Sequence, residues 1–196
     1  MWKWLQTLPL LKDRKMAFWN NAFGAVDEVL PEFKSLPEGI GYLMGRVRSM
    51  SDSLADSQVY VDKRWLEVRD DLDFQESVLH VFKDGGSYLR ILDGDIASGS
   101  WEASLGGLII KFGGKHELYE LVFLDLDFFI LKKHGQQGPK GGRPYFVLAR
   151  EGRARGREWP ELLELLFQDY KSESSYFQWV FILFVLILGI LLYSIL

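Results

Sequence analysis

Ser77–Asp95 reads SVLHVFKDGGSYLRILDGD. Val78, His80 and Phe82 alternate with Leu79 and Val81, the period of two that marks a strand. Lys83-Asp84-Gly85-Gly86 supplies an Asp-Gly turn of the kind that closes hairpins. Tyr88–Leu92 (YLRIL) runs back as the next strand, and Asp93-Gly94-Asp95 turns the chain again. Two short strands joined by a tight turn, with another turn at once behind them, describe an antiparallel meander and not βαβ units.

The same punctuation continues in both directions. Upstream lies Lys63–Arg69 (KRWLEVR). Downstream come Ala97–Glu102 with Gly99 and Trp101, then Leu108–Phe112, Glu117–Leu124 and Phe128–Lys132. After the loop Gly135–Gly142 (GQQGPKGG), Pro144–Arg150 (PYFVLAR) is a last strand. About seven to eight short strands separated by Gly and Asp turns predict an antiparallel barrel or a strongly curved meander sheet.

Before Tyr60 the period is that of helices. Met16, Trp19, Phe23, Val26 and Leu30 fall on one face of a segment from Asp13 that Pro31 ends. Ile40, Leu43, Met44, Val47, Met50 and Leu54 mark a second helix, weakened by Gly39, Gly41 and Gly45. Trp2–Leu11 is apolar but broken by Pro9, and packs on the body or lies on a membrane surface. Beyond the strands, Glu158–Tyr170 places Pro160 in a first turn and Leu162, Leu163, Leu166, Phe167 and Tyr170 on one face. Lys171–Ser175 (KSESS) reads as a linker.

Phe177–Leu196 (FQWVFILFVLILGILLYSIL) carries no formal charge. As a helix it would span about 30 Å, the thickness of a bilayer core. Trp179 and Tyr193 sit near its two ends, where amphipathic rings favour the interfaces. The alternatives are a buried hairpin or a core helix. The organisation expected is therefore α+β. An N-terminal helical segment (1–58) precedes the antiparallel β domain (59–150), a basic amphipathic helical connector (151–176) and a C-terminal transmembrane helix (177–196).

Charge supports a membrane-facing reading. The chain has a net charge of −4 and a composition 48% hydrophobic, that of a folded protein. Yet Lys132, Lys133, Lys140, Arg143, Arg150, Arg153, Arg155 and Arg157 face a single acid, Glu151, between Lys132 and Arg157. Lys132, Lys133, Lys140, Arg143, Arg153, Arg155 and Arg157 are thus candidates for contact with anionic headgroups, or else for a solvated loop. The acidic remainder argues against nucleic acid as a partner. No secretory signal is recognisable at the N-terminus, and the positive-inside rule then places the body in the cytoplasm.

Catalytic patterns are wanting. There is no cysteine, which excludes thiolate catalysis and disulfides. His80 lies in a strand and reads as a satisfied core or barrel-lining residue, and His116 and His134 lie beside turns. Asp71-Leu-Asp73, Asp93-Gly-Asp95 and Asp125-Leu-Asp127 could hold a hard cation but sit at predicted turns, where Asp serves the backbone. Gly113-Gly114-Lys115 fails the phosphate-loop frame. No enzyme activity, cofactor or metal is expected. His80, Phe82, Tyr88, Trp101, Tyr119 and Phe128 are the candidates for a ligand cavity, with a filled core as the alternative.

The strand block also resembles a known family. Phe82-Lys-Asp84-Gly85-Gly86-Ser-Tyr88, Gly99-Ser-Trp101, Leu108-Ile109-Ile110, Tyr119-Glu-Leu121 and Leu124–Leu131 are similar to the lipocalin-like domains common in Bacteroidetes. Those domains show an F-x-x-D-G-x-Y hairpin and a G-x-W strand at similar intervals. Trp65 matches the tryptophan that opens them. The resemblance covers Trp65 to about His134 and implies a small antiparallel barrel or half-barrel. Family members are mostly secreted or lipid-anchored through a cysteine, and this chain departs from that pattern.

The function expected is a tail-anchored, non-enzymatic membrane protein. Its lipocalin-like domain would bind an apolar, lipid-like ligand at the bilayer surface. The alternative is a protein-interaction module of a membrane complex, with a solid β core. Membrane lipids, an apolar small molecule or a membrane-complex protein are the expected partners.

Overall fold

The structure, a computed structural model, describes residues 29–71, 76–104, 107–135 and 143–195, without the side chains of 172–179, 192, 194 and 195. Two compact units divide it: residues 32–166, and a second of residues 1–31 with 167–196. The expected helix Asp13–Leu30 and the segment Trp2–Leu11 fall almost wholly outside the described residues.

Eight antiparallel strands form a closed barrel in sequence order. They are β1 Trp65–Val68, β2 Val78–Phe82, β3 Ser87–Leu92, β4 Asp95–Ser104, β5 Gly107–Phe112, β6 Lys115–Leu124, β7 Phe128–Lys133 and β8 Tyr145–Arg150. Pairing of β8 with β1, Trp65 opposite Arg150 and Val68 opposite Val147, closes the cylinder and leaves no sheet edge. The turn chemistry is as the sequence requires. Asp93 and Gly94 both have positive φ, 49° and 92°, which defines the two-residue turn whose twist matches its strands. At Gly99 a Cβ would collide with the carbonyl oxygen of Lys111 on β5, so only glycine lets β4 approach there.

Alternation divides each strand. Trp65, Phe82, Tyr88, Leu108, Ile110, Tyr119, Phe129, Leu131 and Leu148 belong to one interior cluster. One end of the barrel is sealed by the chain that leads into β1. Asp52 N donates to Leu124 O (2.7 Å) and Asp62 N to Phe82 O (2.7 Å). The one-turn helix α2 (Ser57–Tyr60) drives Tyr60 into that end, where Tyr60 Oη donates to Leu54 O and Trp65 Nε1 to Tyr60 O, each at 3.0 Å. The Tyr60 ring lies 5.3 Å from Phe129, 5.6 Å from Trp101 and 6.3 Å from Phe82, so this half of the barrel is filled by rings at van der Waals spacing.

Helix α1 (Leu36–Val47) is capped by Ser35, whose Oγ accepts from Glu38 N, and buries Leu36, Gly39, Ile40, Leu43 and Val47. It ends in a 3₁₀ turn, Arg48–Met50. Gly39, which weakens the helical reading of the sequence, is the point where α1 meets the Leu163 side chain.

A short helix α3 (Glu151–Ala154) leads to α4, Trp159–Ile195. Here the structure differs from the expected organisation. Lys171–Ser175 does not break the chain, because α4 runs through it as one helix of 37 residues. Glu161, Glu164, Asp169 and Lys171 therefore share an element with the apolar run. Among the described residues no helix is long and apolar enough to cross a membrane. The expected transmembrane helix 177–196 is corrected to that extent. The Trp179 side chain lies outside the described residues, and Tyr193 is 85% exposed.

Candidate functional site: a charged cavity at the open end of the barrel

The end opposite Tyr60 is not filled. A cavity of about 510 Å³ opens between the ends of the strands there. Its wall carries apolar and aromatic groups, Ile110, Phe112, Tyr119 and Phe146, and seven charged ones: Glu67, Arg69, Arg90, Lys115, Glu117, Lys133 and Arg143.

The charged residues are inward by parity. Glu67 follows Trp65 by two on β1, Arg90 follows Tyr88 on β3, and Glu117 precedes Tyr119 on β6, so each shares the face of a buried ring. Glu67 is the hub. Arg69 holds it bidentately (Nε to Oε1 2.8 Å, Nη2 to Oε2 2.9 Å). Arg143 Nη1 donates to Oε1 at 3.0 Å, and His80 Nε2 lies 3.2 Å from Oε2. Four donors saturate two carboxylate oxygens. Burial opposes ionisation of Glu67, but the hydrogen bonds from His80 and Arg69 and the charge of Arg69 outweigh it and hold its pKa at about 2.

His80 is the one fully buried polar side chain of the described residues. Its Nδ1 lies 2.5 Å from Tyr88 Oη, and its ring packs edge-on to Phe146 at 5.0 Å. Burial pushes its pKa down against the pull of Glu67, which keeps the ring neutral. A carboxylate can only accept, so the neutral tautomer carries its proton on Nε2. Nδ1 then accepts from the Tyr88 hydroxyl. Burial, reinforced by the Glu67 charge, pushes the Tyr88 phenol well above its ordinary value, so it stays protonated. Across the cavity, Tyr119 Oη donates to Glu117 Oε2 at 2.6 Å, and Lys133 pairs with Glu117.

Of the residues expected to line a cavity, His80, Tyr88 and Tyr119 do. Phe82 and Trp101 belong to the closed aromatic end instead, 5.9 Å apart. Trp101 is half-buried there, with Nε1 donating to Lys83 O at 3.0 Å. Phe128 is buried on the face of β7 opposite to Phe129 and outside the barrel interior.

The chain matches no protein-family model, no curated protein and no solved structure. The eight-stranded closed barrel is consistent with a lipocalin-like fold.

The basic residues expected to face headgroups do not form one free patch. Lys133 and Arg143 line the cavity and pair with Glu117 and with Glu67. Arg153 Nε lies 2.9 Å from Asp127, and Arg155 pairs with Glu151. Arg157 donates to the carbonyl of Arg153. Lys132 is exposed, and Lys140 lies outside the described residues. Of the compensating acids only Glu151 lies within Lys132–Arg157; Glu67, Glu117 and Asp127 lie outside that window. Among the triplets, Asp125 does serve a turn, accepting from Asp127 N (2.8 Å) and Phe128 N (2.5 Å).

Missing from the expected set were Glu67, Arg69, Arg90, Lys115 and Glu117. Charge in a strand suggests the solvent face. A spacing of two for Glu67, Arg90 and Glu117, and of four for Arg69 and Lys115, from Trp65, Tyr88 or Tyr119 is the signal that they point inward.

Proposed function

We propose that this barrel is a binding module that carries a small molecule in the cavity at its open end, and that it performs no chemistry on it. The cavity of about 510 Å³ carries this reading, since ligand sites typically enclose about 300–1,000 Å³. One sealed end and one open end suit a container. The non-enzymatic half of the reading is supported by Glu67, whose four hydrogen bonds leave it no lone pair for a substrate proton. The sealed end is solid, so the ligand is a compact one and not a long chain threaded through the barrel. The test is mass spectrometry of small molecules retained through mild purification, compared with Ile110→Trp, which fills the cavity floor. A compound present in the wild type and absent from the variant is expected. The same content in both proteins would overturn the proposal.

A second reading concerns attachment. All described side chains from Val180 to Leu191, together with Tyr193, are exposed. Phe177–Leu196 lacks any formal charge. We propose that this half of α4 holds the barrel at a bilayer, with the barrel on the cytoplasmic side. A protein of a membrane complex is the alternative cover. Removal of residues 177–196 should separate membrane attachment from ligand binding.

A further inference from the structure

We propose that the cavity selects an anion: a compact organic molecule whose carboxylate, sulfonate or phosphate group seats between Arg90 and Lys115. This rests on the reading of the barrel as a binding module.

The observation is an imbalance of charge on one wall. Five cations line the cavity against two carboxylates. Glu67 is used by Arg69 and Arg143, and Glu117 by Lys133. Arg90 makes no salt bridge among the described residues, and Lys115 acts on Glu117 only at longer range, the Glu117 carboxylate being already bonded to Lys133. A half-buried guanidinium beside a neutral histidine is not at ease there. Arg90 stands directly opposite His80 in the β2–β3 register, and its charge disfavours protonation of that ring. Opposite charge is what such a site lacks, and in a recess partly closed to water it is worth more than at an open surface.

The two cations flank Phe112, Arg90 by contact and Lys115 by strand register. The Arg90 guanidinium carbon lies 5.9 Å from the Phe112 centroid. Lys115 is the residue directly paired with Phe112 across the β5–β6 turn. The Tyr88 ring meets Phe112 edge-on at 5.7 Å. One sector of the mouth thus offers Arg90 over an aromatic face with Lys115 beside it at the rim, neither in a salt bridge among the described residues, and apolar Ile110 on the same wall. An anionic head between the cations would leave the body of the ligand on Phe112 and Ile110. Because the Tyr88 proton is committed to His80, the phenol oxygen faces the cavity as an acceptor. In the other sector each of the three cations is bonded to Glu67 or Glu117.

The test is a fluorescence titration of the full chain with two probes of one skeleton. 8-Anilinonaphthalene-1-sulfonate carries an anion, and N-phenyl-1-naphthylamine is its uncharged parent. The wild type should bind the sulfonate about tenfold or more tighter than the parent, as one charge-assisted contact implies. Arg90→Gln and Lys115→Gln should each remove most of that preference. Lys115 is exposed at the rim, so its variant keeps the test valid should Arg90→Gln disturb folding. Ile110→Trp should abolish both signals. Equal affinity for the two probes, or a preference that survives both Gln variants, would overturn the anion inference alone. If Ile110→Trp left both titrations unchanged, or if neither probe bound the wild type, the binding-module reading would fall with it.

Discussion

Glu67 and His80 form a buried pair whose protonation couples to folding. Both have pKa values below their ordinary ones in the folded chain, so the unfolded state takes up protons first as pH falls. The stabilisation is therefore complete at neutral pH. It declines as pH drops below about 6.5, where an unfolded histidine begins to charge. It declines again from 4.5 towards 2, across the interval separating the ordinary and folded values of Glu67. That interval corresponds to roughly 3 kcal/mol for a side chain buried as this one is. Glu67→Gln should flatten the lower part of a plot of unfolding free energy against pH, measured by urea denaturation from pH 2.5 to 7. It should also lower stability at pH 7, because Arg69, Arg143 and His80 lose a charged acceptor. An unchanged slope below pH 4.5 would mean that other carboxylates govern acid unfolding. At this scale the sequence was half legible. The histidine was expected to be satisfied inside the barrel, and Tyr88 and Tyr119 beside it. The charged members of the site were passed over because alternation was read from apolar residues alone. A carboxylate that is hydrogen-bonded four times can occupy the apolar parity of a strand, and no pattern of hydrophobicity records that.

Glycine shows how far elements follow from composition. All eight strands were legible, to within two residues at most ends, because Gly and Asp turns set their limits and a period of two filled the intervals. Helix α1 was legible as well, although three glycines argued against it. Those glycines have different roles. Gly39 faces Leu163 so closely that a Cβ would collide with it, whereas nothing lies within 4 Å of a Cβ built at Gly45. The two positions should respond to alanine in opposite directions. Gly45→Ala should raise stability by about 0.5–1 kcal/mol, the helix-interior difference between these residues. Gly39→Ala should lower it by about 1–3 kcal/mol, as overpacking does. Thermal denaturation of both variants beside the wild type checks this. Stabilisation by both would show that α1 sits further from Leu163 than the structure places it. Helix α4 was the element read least well. The polar interval Lys171–Ser175 reads as a linker, but Lys, Glu and Ser tolerate a helix whose two flanks are already helical.

For the whole molecule, what remains to be explained is an apolar half-helix open to solvent. Its described side chains are exposed by 41% or more, including Phe181, Leu183, Phe184, Leu186 and Ile190. At about 25 cal/mol per Å² of apolar surface, covering such a helix from water is worth many kcal/mol. A folded chain rarely leaves that gain untaken. The barrel does not depend on this segment, since its sheet closes within residues 65–150 and its compact unit ends at Leu166. A chain ending at Tyr176 should therefore fold, melt within a few degrees of the full chain and retain the sulfonate probe. The full chain should float with phosphatidylcholine vesicles in a density gradient, and the shortened one should stay at the bottom. Neutral vesicles suffice because Lys133, Arg143, Arg153 and Arg155 are already paired with acids, which leaves apolar contact as the driving force. Flotation that required anionic lipid would restore the basic residues as the determinant. If the full chain failed to float with either lipid and instead self-associated through 177–196, the segment would be covered by protein, and the membrane-complex reading would replace the bilayer one.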